Sequence, residues 1–265
     1  MSAAAQLTAD AARLIGYGLR PRLVPTRDHT YRGLVLRART DDEFAAAVQA
    51  VAAGLDLVVL EISDRSGIVI GSTEDSVFAV KMAEYARRTG GEGKAAERVL
   101  HALAHLGAAT LAFPRPADLA DETYLGRITV EGVEAFVREA ASRLAEAAAE
   151  ADAADAAAAQ PGLEAAWRVY TRRARTGSTG DGRKLSSSTT GIVSKALAFL
   201  ADHGLLTRTS DERGGTFRTT PRYRAQVREA GVVMFEELLG LGITEMSDGS
   251  ATIAVGWTAE SLDQL

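Results

Sequence analysis

The stretch TTGIVSKALAFLADHGLLTRTSDERGGTFRTT, residues 189–220, decides how the chain is read. Ile192, Val193, Ala196, Leu197 and Leu200 recur at helical spacing and mark a buried side. Serines 186–188 and Thr189 precede them and offer N-terminal caps. Gly204 stops the helix. LLTRT and TFRTT then read as two strands around the turn SDERGG.

An earlier stretch has the same layout. FAAAVQAVAAGLDLVVLEISDRSGIVIG, residues 44–71, is an apolar helix, a Gly-Leu stop, a strand, a Ser-Asp turn and a returning strand. Phe44, Val48, Val51 and Leu55 share a face. Thr40 and Glu43 have capping-box spacing, and Gly54 is placed to end the helix in a left-handed conformation. Each stretch has the outline of a winged helix, and the shared layout suggests a structural duplication.

Working outward, residues 7–19 form a short helix with Thr8 as cap, and RPRLVPTRDH is a loop. TYRGLVLRA is either a strand or a short helix. From Ser72 the helical pattern returns, with Phe78, Met82 and Tyr85 on one face. TGGEG breaks it before a helix from Ala95 to Leu106. Thr129 caps a long helix whose apolar side holds Val130, Val133, Val137 and Leu144. Pro161 and Gly162 mark a boundary. LEAAWRVYTRRAR is an amphipathic helix, and Pro221 opens a last one. ATIAVGW could add a strand. The expected architecture is α+β and mainly helical, with tandem winged-helix domains joined by a helical segment. Its parts are a first winged helix at 1–71, a helical connector at 72–160, a second, basic winged helix at 161–230 and an acidic segment at 231–265.

Composition narrows the chemistry. Of 265 residues, 46% are hydrophobic but only 6% aromatic, so the core is mostly Ala, Leu and Val. Such residues favour helices. Cysteine is absent, which excludes disulfides, thiolate metal sites and cysteine nucleophiles. No apolar run is long enough to cross a bilayer, and no leader pattern opens the chain. A soluble cytoplasmic protein is expected. His101 and His105 are spaced i, i+4, but Ala102 stands where a metalloprotease helix needs Glu. They read as partly exposed helical histidines. GGEGKAAE, residues 90–97, lacks the phosphate-loop spacing. GSTGDG, residues 177–182, reads as a flexible loop. His203 lies at the far end of its helix from the Ser186–Thr190 hydroxyls. No enzyme, cofactor or metal is expected.

The charge is uneven. The net of −5 conceals a segment, residues 161–230, with 13 basic and 6 acidic side chains, between segments of net −6. An acidic partner for that part follows. Arg172, Arg173 and Arg175 end one helix, and Arg183 and Lys184 precede the next. Arg208, Arg213 and Arg218 line the hairpin, with Arg222, Arg224 and Arg228 beyond. Cations there would displace counterions from a nucleic-acid backbone without reading sequence. The helix exposes Thr190, Gly191, Ser194, Lys195, Ala198 and Asp202, of which only Lys195 is a strong base reader. Backbone gripping is therefore expected over base reading. The first copy opens with Asp41, Asp42 and Glu43, suited to a helix N-terminus and repellent to DNA. Its turn sets Arg65 against Glu61 and Asp64. That copy is expected to dock protein or its own twin.

The two helix–Gly-Leu–hairpin units, with TTPRYRAQVREAG (219–231) after the second, resemble the winged-helix KITE subunits of bacterial SMC complexes. MukE and its relatives in MksBEF and Wadjet plasmid-defence systems belong to that group. The resemblance implies a non-enzymatic homodimer, associated with the nucleoid, that binds a kleisin-type partner and touches DNA clamped by an SMC ATPase. Arg208, Arg213 and Arg218 would be its DNA contacts. Two alternatives are a dimeric winged-helix transcriptional regulator, which requires a sequence-specific footprint, and a protein-interaction adaptor that retains no DNA.

Overall fold

The computed structural model describes residues 2–20, 22–80, 95–150, 170, 175, 188–240, 244–247 and 250–253. The fold is α+β and mostly helical, with small antiparallel sheets. The chain forms two compact units, each built from separate pieces. One comprises residues 1–79, 114–124 and 220–265; the other comprises 80–113 and 125–219.

The first unit opens with α1 (Ala3–Gly18), α2 (His29–Thr40) and α3 (Asp42–Ala53), followed by the hairpin β1 (Leu57–Ser63) and β2 (Gly67–Ser72). Ser2, not Thr8, caps α1, and TYRGLVLRA is helix. Asp41 rather than Thr40 caps α3, accepting from the Phe44 N–H at 3.0 Å. Thr40 closes α2 instead, its hydroxyl donating to the Leu36 carbonyl. Gly54 is right-handed, and Asp56 takes the left-handed position at φ 54°. Ala11, Leu14, Ile15, Tyr31, Val35, Phe44, Val48 and Ile68 form the core. Tyr31 pins the hairpin, its hydroxyl accepting from the Ile68 N–H at 2.9 Å. A Cβ on Gly67 (φ 72°) would overlap that hydroxyl, so glycine is required there. Residues 73–80 are turn and coil, not the expected helix. The unit also includes α5 (Pro116–Ala120), α8 (Pro221–Gly240) and the hairpin β6 (Thr244–Ser247) and β7 (Ser250–Ile253).

The second unit contains α4 (Ala95–Ala112), β3 (Arg127–Thr129), α6 (Val130–Glu150), α7 (Thr189–Asp202), β4 (Leu206–Ser210) and β5 (Thr216–Thr219). Ser188 caps α7 through the Gly191 N–H, and Gly204 has φ 70°. Thr129 caps α6 through the Gly132 N–H. Leu100, Ala104, Val133, Val137, Ile192, Val193, Leu197 and Phe217 are buried. The sheet is antiparallel in the order β3-β5-β4.

The boundaries expected at 72, 161 and 231 do not coincide with these units. The helices assigned to a connector, α4 and α6, belong with the basic hairpin, because their apolar faces are part of its core. Residues 220–265 belong with the first unit. The helix LEAAWRVYTRRAR, apart from Tyr170 and Arg175, lies outside the described residues, as do Met82 and Tyr85.

Candidate nucleic-acid interface

The expected cations meet four different fates. Arg172, Arg173, Arg183 and Lys184 lie outside the described residues. Arg222 is a buried structural group rather than a surface cation. It is 7% exposed, and its guanidinium donates to the carbonyls of Gly18, of Arg20 at 3.1 Å and of Ile68 at 3.5 Å. Burial lowers its pKa, partly countered by Tyr31. Arg224 is buried as well, held by both oxygens of Glu61 and by the Leu119 carbonyl. Proximity to the hairpin in sequence therefore does not place these arginines on a basic surface. Carbonyls at the end of α1 and in β2 hold Arg222, and Glu61 of β1 with the Leu119 carbonyl holds Arg224.

Arg175 and Arg208 are neutralised where they stand. Arg175 Nε lies 2.8 Å from Glu134 Oε2. Glu134 is fully buried and also accepts from Arg138 at 2.7 Å and from the Thr189 hydroxyl at 2.6 Å. Two guanidinium groups and a hydroxyl compensate the buried carboxylate. The arrangement ties the start of α7 to α6. Tyr170, buried beside this cluster, has its hydroxyl pKa pushed up by burial first and by Glu134 second. Arg208 meets Asp211 at 2.7 Å and lies over the Phe217 ring.

Lys195, Arg213 and Arg218 remain. Among the described residues none of the three has an ion pair. Lys195 is half-buried on α7, while Arg213 and Arg218 are exposed. Arg213 is at the hairpin tip with φ 53°, in a left-handed run with Gly214 (φ 78°) and Gly215 (φ 132°). A non-glycine residue there is strained. Arg218 is in the central strand, β5, directly opposite Arg127 of β3. Arg127 is exposed and without an ion pair among the described residues. Sequence reading missed it, because β3 is three residues long and shows no period. A Cβ on Gly126, just before it, would overlap the Ala112 carbonyl, so glycine lets β3 start against α4. The six α7 residues read as exposed all lie outside the buried set.

Of the two i, i+4 histidines, His101 departs from the expected partial exposure and His105 does not. His101 is 2% exposed, and His105 is half-buried against the edge of Phe199. Phe199 in turn packs on His203 at 4.0 Å between centroids. Burial, reinforced by His101, lowers the His105 pKa to about 4. Among the described residues no group of three or more His, Cys, Asp or Glu is placed to hold a metal. No described helix is long and apolar enough to cross a membrane.

In the first unit, Glu61 is occupied by Arg224 and Arg228, and Asp64 pairs with Arg39 at 2.6 Å. Leu36, Leu55, Val58 and Val77 of this unit are exposed apolar side chains. Comparison of the chain with family models, curated proteins and solved structures finds no match in any of the three.

Proposed function

We propose that the two helix–hairpin units are winged-helix modules, and that the chain is a non-enzymatic, DNA-associated accessory subunit of an SMC- or condensin-like complex. In this reading the second unit grips duplex backbone, and the first binds a kleisin-type polypeptide or a second copy of the chain. The observation that carries it is a set of cations on α7 and its hairpin, Lys195, Arg213 and Arg218, that have no ion pair among the described residues. Other described arginines of that unit, Arg138, Arg175 and Arg208, meet carboxylates. Surface cations without a carboxylate partner among the described residues suit phosphate, which draws affinity from counterion release. The weak base-reading side of α7 favours backbone contact over an operator-binding regulator.

The test is duplex binding by fluorescence anisotropy across a salt series. Lys195→Ala, Arg213→Ala and Arg218→Ala together should weaken binding alike on all sequences. The log–log salt slope should flatten by about 1 for each phosphate that is no longer neutralised. Arg208→Ala should matter less, since Asp211 already engages it. Loss confined to one preferred sequence would instead support a regulator, and no retention of any duplex at low salt would support an adaptor.

A further inference from the structure

Arg127 and Arg218 are Cα partners in the β3–β5 ladder, whose register is unbroken over its three pairs. The bonds at its two ends identify the kind of pair they make. The Thr219 N–H donates to the Gly126 carbonyl at 2.9 Å, and the Val130 N–H donates to the Gly215 carbonyl at 3.0 Å. In an antiparallel ladder, hydrogen-bonded and non-hydrogen-bonded pairs alternate. With Gly126–Thr219 and Val130–Gly215 of the first kind, Arg127–Arg218 is of the second. Cα atoms of such pairs are about 4.5 Å apart and the side chains are at their closest.

The row continues across the sheet. Thr207 of β4 is the partner of Arg218 on its other side. All three residues are exposed. The next residues along, Ile128 and Phe217, are buried and point the other way. The Arg127–Arg218–Thr207 row therefore faces away from the core.

Like charges directly opposite each other destabilise a sheet. Arg138 and Arg175 of this same unit meet a carboxylate, whereas this directly opposed pair of cations has no ion pair among the described residues. Two guanidinium forks on adjacent stems, with a hydroxyl beside them, match the geometry of one shared oxyanion.

We propose that Arg127 and Arg218 jointly bind a single phosphodiester of a nucleic-acid duplex, each donating to a non-bridging oxygen, with the Thr207 hydroxyl as a further donor. The proposal rests on the DNA-backbone reading of this unit and adds to it a specific bridged phosphate. It also adds a contact, Arg127, drawn from outside the helix and hairpin. The phosphate would remove the repulsion that the pair carries when free, so the two arginines act as one unit.

The full-length chain, its Arg127→Gln and Arg218→Gln variants, the double variant and Arg213→Gln are titrated against a labelled random-sequence duplex at low salt. Each single change at the pair should weaken binding about tenfold. The double change should weaken it little more than either single one, while Arg213→Gln combined with Arg127→Gln should multiply. Without DNA, each pair variant should melt higher than the wild type, by about 1–3 °C. If Arg127→Gln leaves affinity within twofold while Arg213→Gln weakens it, the bridged phosphate is wrong and the DNA reading stands. Independent, multiplying losses at Arg127 and Arg218, or pair variants that melt no higher than wild type, would also overturn it. If the wild-type chain retains no duplex at any salt, both readings fall together.

Discussion

Arg224 donates to both carboxylate oxygens of Glu61, at 3.3 and 3.0 Å, across 163 residues of sequence. Glu61 also accepts from the Ser66 hydroxyl at 2.9 Å and from Arg228 at 3.2 Å. The Arg224 side chain is 3% exposed, so its charge depends on this one carboxylate for compensation. The pair fastens the start of α8 to β1 within the first unit.

Removing one partner should therefore cost more than removing both. Glu61→Ala should destabilise the unit by about 3–5 kcal/mol, because it strands a buried guanidinium. Replacing both, as Glu61→Leu with Arg224→Met, should recover much of that loss. Arg228→Ala, whose partner is shared and whose side chain is 42% exposed, should cost less than about 1 kcal/mol. Urea unfolding at pH 7 measures all three.

Arg222 supplies donors to carbonyls of α1, the segment after it and β2. Arg222→Ala should lower stability by about 2–4 kcal/mol through unsatisfied buried acceptors. Arg222→Lys should be intermediate, since an ammonium cannot reproduce the planar fork. Duplex affinity of the folded fraction should stay within about twofold of the wild type at matched salt. A large loss of affinity in a stably folded Arg222→Lys chain would return this residue to the nucleic-acid interface.

In the proposed DNA-binding reading, Arg213 sets function against stability at one position. Its left-handed backbone is easier for Asn or Gly than for Arg. Arg213→Asn should raise unfolding free energy by about 1 kcal/mol and weaken duplex binding in the same sample. Calorimetry and anisotropy on one preparation test both halves. A change that weakened both would mean that the arginine side chain supports the hairpin tip.

Acid should destabilise the second unit in a defined window. The folded chain holds the His105 pKa at about 4, below the ordinary histidine value of 6.5. Between those values the unfolded chain binds more protons. The stability contributed by neutral His105 is complete above about pH 6.5, falls as pH drops and levels off below about pH 4. The loss is bounded at about 3 kcal/mol. His105→Gln should flatten the dependence between pH 7 and 4.5 in urea unfolding. An equal slope in the variant would place the titration elsewhere.

Much of the local structure was legible in the sequence. Ile192, Val193, Ala196, Leu197 and Leu200 lie on the buried side of α7, as their spacing requires. Ser188, Gly204, Thr129 and Pro221 stand at the ends expected of them. These signals are legible because a cap, a stop or an apolar period acts within one or two turns of chain. The same locality explains the misreadings at Thr40 and Gly54. There the neighbouring Asp41 and Asp56 took the special positions, and the two possibilities differ by only one or two residues.

The proposed interface was legible in part. A charge count locates a basic segment but not which cations remain unpaired. Arg208 and Arg213 are five residues apart, yet one meets Asp211 and the other, at a strained tip, has no ion pair among the described residues. Arg222 and Arg224 continue the same basic run and end inside the first unit. Arg127 carried no signal, since its importance comes from a strand pairing with Arg218, 91 positions away by number. By itself the sequence determined most of the helices, several of their ends and the β1–β2 and β4–β5 hairpins, because backbone hydrogen bonding and side-chain periodicity are short-range. Only the tertiary structure decided which arginines are solvated, buried or paired. An ionised group's environment is set by whatever distant segment folds against it.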